Sequence, residues 1–170
     1  MNTPTFVNKV ANSGLITINP EDFRDGAESV FFDMKECLFM GLILKEKDFR
    51  EFIKRNDWKI YQRKNVAIGC SADAIVPTWA YMLLANALSP IAKTVYFGNL
   101  EELEKSLFSK AISQLDVEQY RDQRIVVKGC GDVPVPTTAY LELTSRLAPI
   151  AKSIMYGEPC STVPIMKRKD

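Results

Sequence analysis

Two stretches of similar sequence decide the fold of this chain. The chain carries PTWAYMLLANALSPIAK at residues 77–93 and, 59 positions later, PTTAYLELTSRLAPIAK at residues 136–152. Each stretch begins with a proline, which suits the first turn of a helix, and its second proline cannot continue one. The apolar residues that both stretches share recur at helical spacing. The pair therefore predicts two equivalent amphipathic helices, each lying between its prolines.

The similarity extends well beyond these two helices. The same shift pairs Phe49 with Phe108 and Tyr61 with Tyr120, and a slip of one residue aligns the glycine–cysteine pair at 69–70 with a second such pair. Self-similarity over this length is typical of one supersecondary unit used twice. We therefore interpret the chain as an internal repeat.

Each copy of the repeat reads as helix, strand, helix, strand. Short apolar runs rich in β-branched residues lie before and after the proline-bounded helix, and an amphipathic helix precedes them. This alternation predicts an α/β fold in which tandem helix-strand-helix-strand units form a largely parallel sheet flanked by helices. The predicted strands are 66–68, 94–97, 125–127 and 153–156, and the predicted leading helices are 46–56 and 100–115.

The length of the chain suits one domain. A chain of this size can bury a sufficient core, so we expect a single α/β domain over residues 1–170. An N-terminal extension, residues 1–41, is expected to add strands or a hairpin at an edge. Repeat unit 1 covers residues 42–98, repeat unit 2 covers residues 101–157, and residues 158–170 form a C-terminal tail.

Charge and histidine content exclude several functions. The formal net charge is +1 and there is no histidine, so no general field favours nucleic acid or an anionic membrane, and the usual general base is missing. Residues 74–92 carry no charge and approach the length of a membrane span. The second copy, however, has Glu142 and Arg146 in this segment, which are costly in lipid. We therefore expect a soluble protein that binds neither nucleic acid nor a membrane.

The cysteines indicate a compartment. Cys37, Cys70, Cys130 and Cys160 are widely spaced and follow no leader peptide. A secreted disulfide framework is therefore a poor interpretation, and a reducing cytoplasm fits better. Cys37 lies in an apolar stretch, which favours a packing role because free cysteine behaves as a small hydrophobe.

One stripe of the first proline-bounded helix is apolar where the second copy is polar. Trp79, Leu83 and Ala87 form this stripe, and their counterparts in the second copy include a Glu and an Arg at the spacing of a water-facing pair. We expect the apolar stripe to be covered, either by the N-terminal segment or by a second subunit. A homo-oligomer, with these three residues at its interface, is therefore one hypothesis.

Three cysteines share one position relative to the predicted strands. Cys70, Cys130 and Cys160 each follow a strand, and ligands of open α/β sheets usually bind along the edge where the carboxyl ends of the strands meet. We therefore expect the three thiols to lie on a common rim. The polar residues near them complete the candidate metal- or anion-binding set: Asp73, Thr78, Asp132, Thr137 and Ser161.

This set of residues allows three kinds of chemistry. Thiolates with a carboxylate are suitable ligands for zinc, iron or an iron–sulfur cluster where histidine is absent. A thiolate activated by a helix N-terminus, at Cys70 or Cys130, is suited to nucleophilic sulfur transfer. The helix N-termini with their hydroxyl groups also suit a small anion. The alternative is that the cysteines only pack at strand ends.

Three further stretches carry a resemblance to a known family. LILKEKDFR at 42–50, CSADAIVPTWAY at 70–81 and YGEPCST at 156–162 resemble a bacterial family known only as a domain of unknown function, number twenty-four eighty. The resemblance covers nearly the whole chain. It implies no catalytic residue, since the family has no assigned activity, and it implies a link to sulfur or iron–sulfur assembly proteins as partners. The family pattern has Trp where this chain has Cys37, which suits a packing role there.

A more distant likeness concerns the order of elements only. Strand, cysteine, loop, helix and strand resembles the active-site unit of rhodanese-type sulfurtransferases. The basic and glycine residues that would surround the sulfur are missing after Cys70 and Cys130. This likeness is therefore an analogy of fold and carries no function by itself.

The leading functional hypothesis is an accessory cytoplasmic protein that binds a metal, an iron–sulfur cluster or a small anion at the strand rim. One alternative is a thiol-dependent sulfur-transfer enzyme with Cys70 or Cys130 as nucleophile. Another is a non-catalytic scaffold that acts through the surface of Trp79 and Leu83. The sequence does not choose between them.

Overall fold

The computed structural model describes residues 14–129, 131–158 and 161–169. The chain divides into two compact units. The central unit is residues 26–106, and the split unit combines the described parts of residues 14–25 and 107–169. The split unit is thus built from two segments of chain, with the whole central unit between them in sequence.

Strands and helices alternate along most of the described chain. The α-helices are α1 Glu46–Arg55, α2 Thr78–Leu88, α3 Leu100–Ser113 and α4 Thr137–Leu147, with short 3-10 helices at Pro20–Phe23, Met34–Cys37, Trp58–Tyr61 and Glu118–Tyr120. The strands are β1 Leu15–Ile18, β2 Ser29–Asp33, β3 Asn65–Gly69, β4 Thr94–Phe97, β5 Arg124–Val127, β6 Ser153–Glu158 and β7 Ser161–Lys167.

The central unit contains a parallel sheet of order β2-β3-β4. Residues 65–68 of β3 are all buried, as expected for an inner parallel strand covered on both faces. Val66 and Ile68 of this strand pack with Leu84 and Leu88 of α2. The buried face of α2 that carries these two leucines therefore holds the helix on the sheet.

The split unit contains a sheet of order β1-β5-β6-β7, in which β7 runs antiparallel to β6 and the other neighbours are parallel. Ile125 of β5 and Ile154 of β6 pack with Leu143 and Leu147 of α4. Its arrangement of strand, helix and strand follows that of the central unit. The β3–β4 pair Asn65–Thr94 and the β5–β6 pair at 124 and 153 lie 59 positions apart in sequence.

The predicted fold class is confirmed. Both units have largely parallel strands flanked by helices, and the N-terminal extension contributes strands. Phe39 of the extension also forms an isolated antiparallel bridge with Ile43, just beyond its end. The strands form two sheets rather than one, with β1 and β2 in different sheets, because local sequence patterns do not specify strand partners. The predicted boundaries of domain and repeat units stay a prediction.

No helix in the described residues combines the length and the apolar character needed to cross a membrane. The uncharged stretch at 74–92 instead forms α2 and the loops beside it.

The apolar stripe of α2 has a partner within the central unit. The ring of Trp79 meets the ring of Phe49 edge-on, with 6.1 Å between centroids, and Leu83 packs on the same core cluster. The cover is thus supplied in part by α1, which was not among the two covers considered from the sequence. Ala87 is half-buried. Assembly through these residues stays a prediction.

Truncating a core residue of α4 tests the packing of the split unit. We expect Leu143→Ala, at a fully buried position, to lower the free energy of unfolding by about 3 kcal/mol, because the lost methyl groups leave a cavity. Leu141→Ala on the same helix is the control, since its side chain is 64% exposed, and its loss should stay below about 0.5 kcal/mol. Urea unfolding followed by circular dichroism measures both, and equal losses would contradict the assigned packing.

Candidate functional site

A cleft of about 490 Å³ opens beside the carboxyl ends of the parallel strands of the split unit. Asn19 follows β1, Lys128 follows β5, and Tyr156 lies near the end of β6. Parallel strands bring the residues after their carboxyl ends to one edge, which explains why these side chains meet. The polar residues that line the cleft are Asn19, Glu21, Lys128, Asp132, Tyr140 and Tyr156.

Glu21 links the segment after β1 to the loop after β5. Its Oε1 atom accepts a hydrogen bond from the backbone N–H of Val133 at 2.5 Å. The side-chain amide of Asn19 donates to the Oε2 atom at 3.5 Å. One carboxylate thus holds together two parts of the cleft wall that are far apart in sequence.

Two tyrosines form another part of the wall. The rings of Tyr140 and Tyr156 meet edge-on with 5.7 Å between centroids, a favoured geometry for aromatic pairs. The hydroxyl of Tyr156 donates to the carbonyl oxygen of Gly129 at 3.5 Å. A Cβ atom at Gly129 would overlap the Tyr156 ring, so the absence of a side chain there lets the ring lie over the loop.

The charges around the cleft are of both signs. Lys128 is half-buried and has no ion pair with any other described residue. The N-terminus of α4 borders the cleft, because Val135 just before the helix and Tyr140 in its first turn both line it. The helix has no side-chain cap and no acidic residue in its first turn, so its first N–H groups keep their partial positive charge. The lysine and the helix terminus together suit an anion.

The carboxylates at the cleft have different roles. Glu21 uses one oxygen to accept the Val133 N–H, which offsets part of its negative charge locally. Asp132 is exposed at the cleft. Neither of these two carboxylates is therefore both buried and without a partner.

The central unit has a related contact between an acid and a loop. Asp33 at the end of β2 accepts hydrogen bonds from Ser71, through its backbone N–H at 3.0 Å and its hydroxyl at 2.5 Å. It also accepts from the backbone N–H of Lys35 at 3.0 Å. Partial burial acts to raise the pKa of Asp33, but these hydrogen bonds outweigh it and hold the pKa below its usual value. The ionised form is therefore the one that the fold stabilises.

The two described cysteines are free and half-buried. The Cys70 thiol, after β3, donates to the carbonyl oxygen of Ala72 at 3.6 Å. Burial raises the pKa of the Cys37 thiol to about 11, helped by nearby negative groups. Cys37 is therefore protonated at neutral pH and is a poor nucleophile. It packs against the core of the central unit, as the sequence analysis anticipated.

The predicted site residues fall in several places. Asp132 lines the cleft, Thr137 begins α4 at its border, and Ser161 begins β7 and is exposed. Cys130 and Cys160 lie outside the described residues. Cys70, Asp73 and Thr78 belong to the central unit, where the last two are exposed.

The predicted common rim for Cys70, Cys130 and Cys160 required the strands before them, β3, β5 and β6, to belong to one sheet. Instead β3 belongs to the sheet of the central unit, and β5 and β6 belong to that of the split unit. Across residues 14–129, 131–158 and 161–169, no three cysteine, aspartate or glutamate side chains come together as metal ligands do. The metal-binding roles of the candidates stay predictions.

Five of the six polar residues that line the cleft were missed from the sequence: Asn19, Glu21, Lys128, Tyr140 and Tyr156. Asn19 and Glu21 lie outside both repeat units, and Lys128 lies in unit 2 without a counterpart of similar charge in unit 1. For Asn19 and Glu21 the available signal was the largely apolar run at 15–18, which polar residues follow. Because its partner strand is more than a hundred positions away, this signal could not be used without the pairing.

The fold and the cleft define an α/β protein with parallel sheets and a ligand-sized opening at the strand ends of one unit. Residues 4–168 match the family described as Protein of unknown function (DUF2480), and the chain belongs to this family, as the resemblance predicted. Neither the curated proteins nor the solved structures include a match to the chain.

The hydrogen bonds to Asp33 predict a pH dependence. Because its pKa is lower in the folded than in the unfolded chain, Asp33 adds stability above about pH 4, its usual pKa, and this stability is lost as the pH falls through the folded value. We therefore expect the difference in unfolding free energy between the wild type and Asp33→Asn to be largest near neutral pH and to shrink in acid.

Urea unfolding at a series of pH values measures this difference. Asp73→Asn, in the loop that Asp33 contacts, is the control and should leave stability nearly unchanged. A difference for Asp33→Asn that grew as the pH fell would contradict the hydrogen-bonding role of the carboxylate.

Proposed function

We propose that the protein is a non-catalytic binding protein that holds a small anion in the cleft of the split unit. The observation that carries this proposal is the presence of Lys128 on a cleft that the uncapped N-terminus of α4 also borders. A small anion is one of the ligands that the residues at the strand ends were expected to suit. The ligand class is a phosphate or a carboxylate.

The electrostatics of the cleft support an anion. A helix N-terminus stabilises a nearby negative charge by about 0.3–1 kcal/mol at exposed sites and more where water is partly excluded. A lysine ammonium adds a charge-assisted hydrogen bond, which is stronger than a neutral one. Lys128 is half-buried, so its charge is less screened than that of a fully exposed lysine.

The size and the wall of the cleft support a ligand with an organic body. A volume of about 490 Å³ lies within the range of small-molecule sites in proteins. The faces of Tyr140 and Tyr156 supply apolar surface, while Asn19 supplies an amide that can donate and accept. A small organic phosphate or carboxylate matches this combination better than a bare inorganic ion.

The other hypotheses remain open as proposals. Binding of zinc, iron or an iron–sulfur cluster, and partnership with sulfur or iron–sulfur assembly proteins, depend largely on Cys130 and Cys160, which are outside the described residues. Sulfur transfer by Cys70 or Cys130 and a scaffold role through Trp79 likewise stay predictions.

We also propose that the two units are copies of one unit in a cytoplasmic protein. The 59-position offset between the β3–β4 and β5–β6 pairings supports a duplication. The free thiols of Cys37 and Cys70 support a reducing compartment. The equivalent exposure of Met82 on α2 and Leu141 on α4 supports an apolar contact surface on both copies, as a homo-oligomer would use.

Titration with inorganic phosphate as a probe tests anion binding. We expect wild-type protein to bind phosphate at low ionic strength and the affinity to fall as salt is added, because the attraction is electrostatic. Lys128→Gln should weaken binding at least about tenfold, equivalent to ~1.4 kcal/mol. The matched control is Lys110→Gln, an exposed lysine on α3 that does not line the cleft. Isothermal titration calorimetry measures all three proteins.

Two outcomes would contradict the anion proposal. One is an absence of phosphate binding even at low salt, and the other is an equal loss in both lysine variants. Anaerobic purification with metal and sulfide analysis runs alongside. Bound iron or zinc that is lost in Cys130→Ser would favour the metal hypothesis instead.

A further inference from the structure

We propose that Glu21 is the positioning residue of the cleft, and that its carboxylate orders the loop at 131–135 that leads into α4. This inference rests on the proposed function for its ligand. It assigns a role to a residue that precedes the whole central unit in sequence. Ligand binding by the split unit then depends on the Glu21 side chain, which is far in sequence from the loop at 131–135.

The first observation is the hydrogen bond from Val133 to Glu21. The donor is a backbone N–H, the acceptor is a carboxylate oxygen, and the distance is 2.5 Å. Hydrogen bonds to an ionised acceptor are shorter and stronger than neutral ones. Both residues are half-buried, so water competes less for the bond. A loop backbone that has no strand or helix partner is held here by a side chain.

The second observation concerns the space at Gly131. A Cβ atom at this position would overlap the Glu21 carboxylate. The carboxylate therefore lies directly against the loop backbone, in space that any other residue type would fill. The three heavy atoms nearest to such a Cβ all belong to the Glu21 carboxylate, so an alanine at 131 would displace this flexible end of the side chain.

The central unit has a similar hydrogen bond between an acidic side chain and a loop backbone. Asp33, at the end of its first strand, accepts the backbone N–H of Ser71 in the loop that follows its second strand. Glu21 stands three residues after the end of β1 and accepts from the loop that follows β5. In both units an acid from the first strand's end thus ties down the loop before the next helix.

The order of this loop decides what the cleft presents. Val133 and Val135 both line the cleft, and two residues after Val135 the helix α4 begins. Fixing the loop at Val133 therefore fixes the uncapped N–H groups of α4 relative to Lys128. Because the Glu21 carboxylate accepts a hydrogen bond from the loop, it also repels an anion less than a carboxylate without a hydrogen bond would.

Amide hydrogen exchange of Val133, followed by NMR, tests the role of Glu21 directly. In Glu21→Ala we expect the exchange of this amide to become at least about tenfold faster, because its charged acceptor is gone. Phosphate affinity, measured by calorimetry, should fall with it. Glu21→Gln keeps an acceptor oxygen at the same position and should restore most of the protection and most of the affinity.

Gly131→Ala provides a second route to the same state. It should reproduce both effects of Glu21→Ala, and the double variant should be no worse than either single one, since both remove one contact. Asp33→Ala is the control. It should speed exchange at Ser71 in the central unit and leave the Val133 amide and the phosphate affinity unchanged.

The outcomes separate this inference from the anion proposal. If wild-type protein binds no phosphate but Glu21→Ala still speeds exchange at Val133, the anion proposal fails and the ordering role of Glu21 stands. Unchanged exchange at Val133 in Glu21→Ala overturns the inference, whatever the affinity. So does a Glu21→Gln variant that behaves like Glu21→Ala in both measurements.

Discussion

The pairing of β1 with β5 is the constraint on which the rest of the split unit depends. The two strands run parallel with Ile18 opposite Val127, and the backbone N–H of Lys128 donates to the carbonyl oxygen of Ile18 at 3.0 Å. Ile18 is buried with the core of this unit. Apolar burial and backbone hydrogen bonds together offset the entropy of closing a loop of more than a hundred residues. Without this pairing, nothing would hold Asn19 and Glu21, which follow β1, beside the loop after β5.

The two charged groups Glu21 and Lys128 at the cleft differ in their partners. One carboxylate, Glu21, is engaged by a backbone N–H, and one ammonium, Lys128, has no ion pair among the residues that the structure describes. Buried polar groups are costly when they lack a partner, so a half-buried cation at a cleft is the group that gains most from a ligand of opposite charge. The uncapped N-terminus of α4 acts in the same direction.

The parts of the fold that could be predicted are the local ones. Helices α2 and α4 and strands β3 to β6 follow from short-range periodicity and from prolines that start and end helices. The division into two sheets and the strand β7, which contains Pro164, do not follow, because they depend on which distant segments pair. Asp132 was found as a site candidate because it lies near Cys130, just after a predicted strand. Glu21 was not, because only the β1–β5 pairing brings it to Val133.

The most direct test of anion binding in the cleft is an NMR titration of uniformly labelled wild-type protein with inorganic phosphate. We expect the largest amide shifts at Lys128, at Gly129 and in the first turn of α4, and we expect them to saturate together with a single affinity. Shifts spread over surface lysines without saturation would contradict it. So would saturable shifts confined to the central unit, which would place the anion site elsewhere.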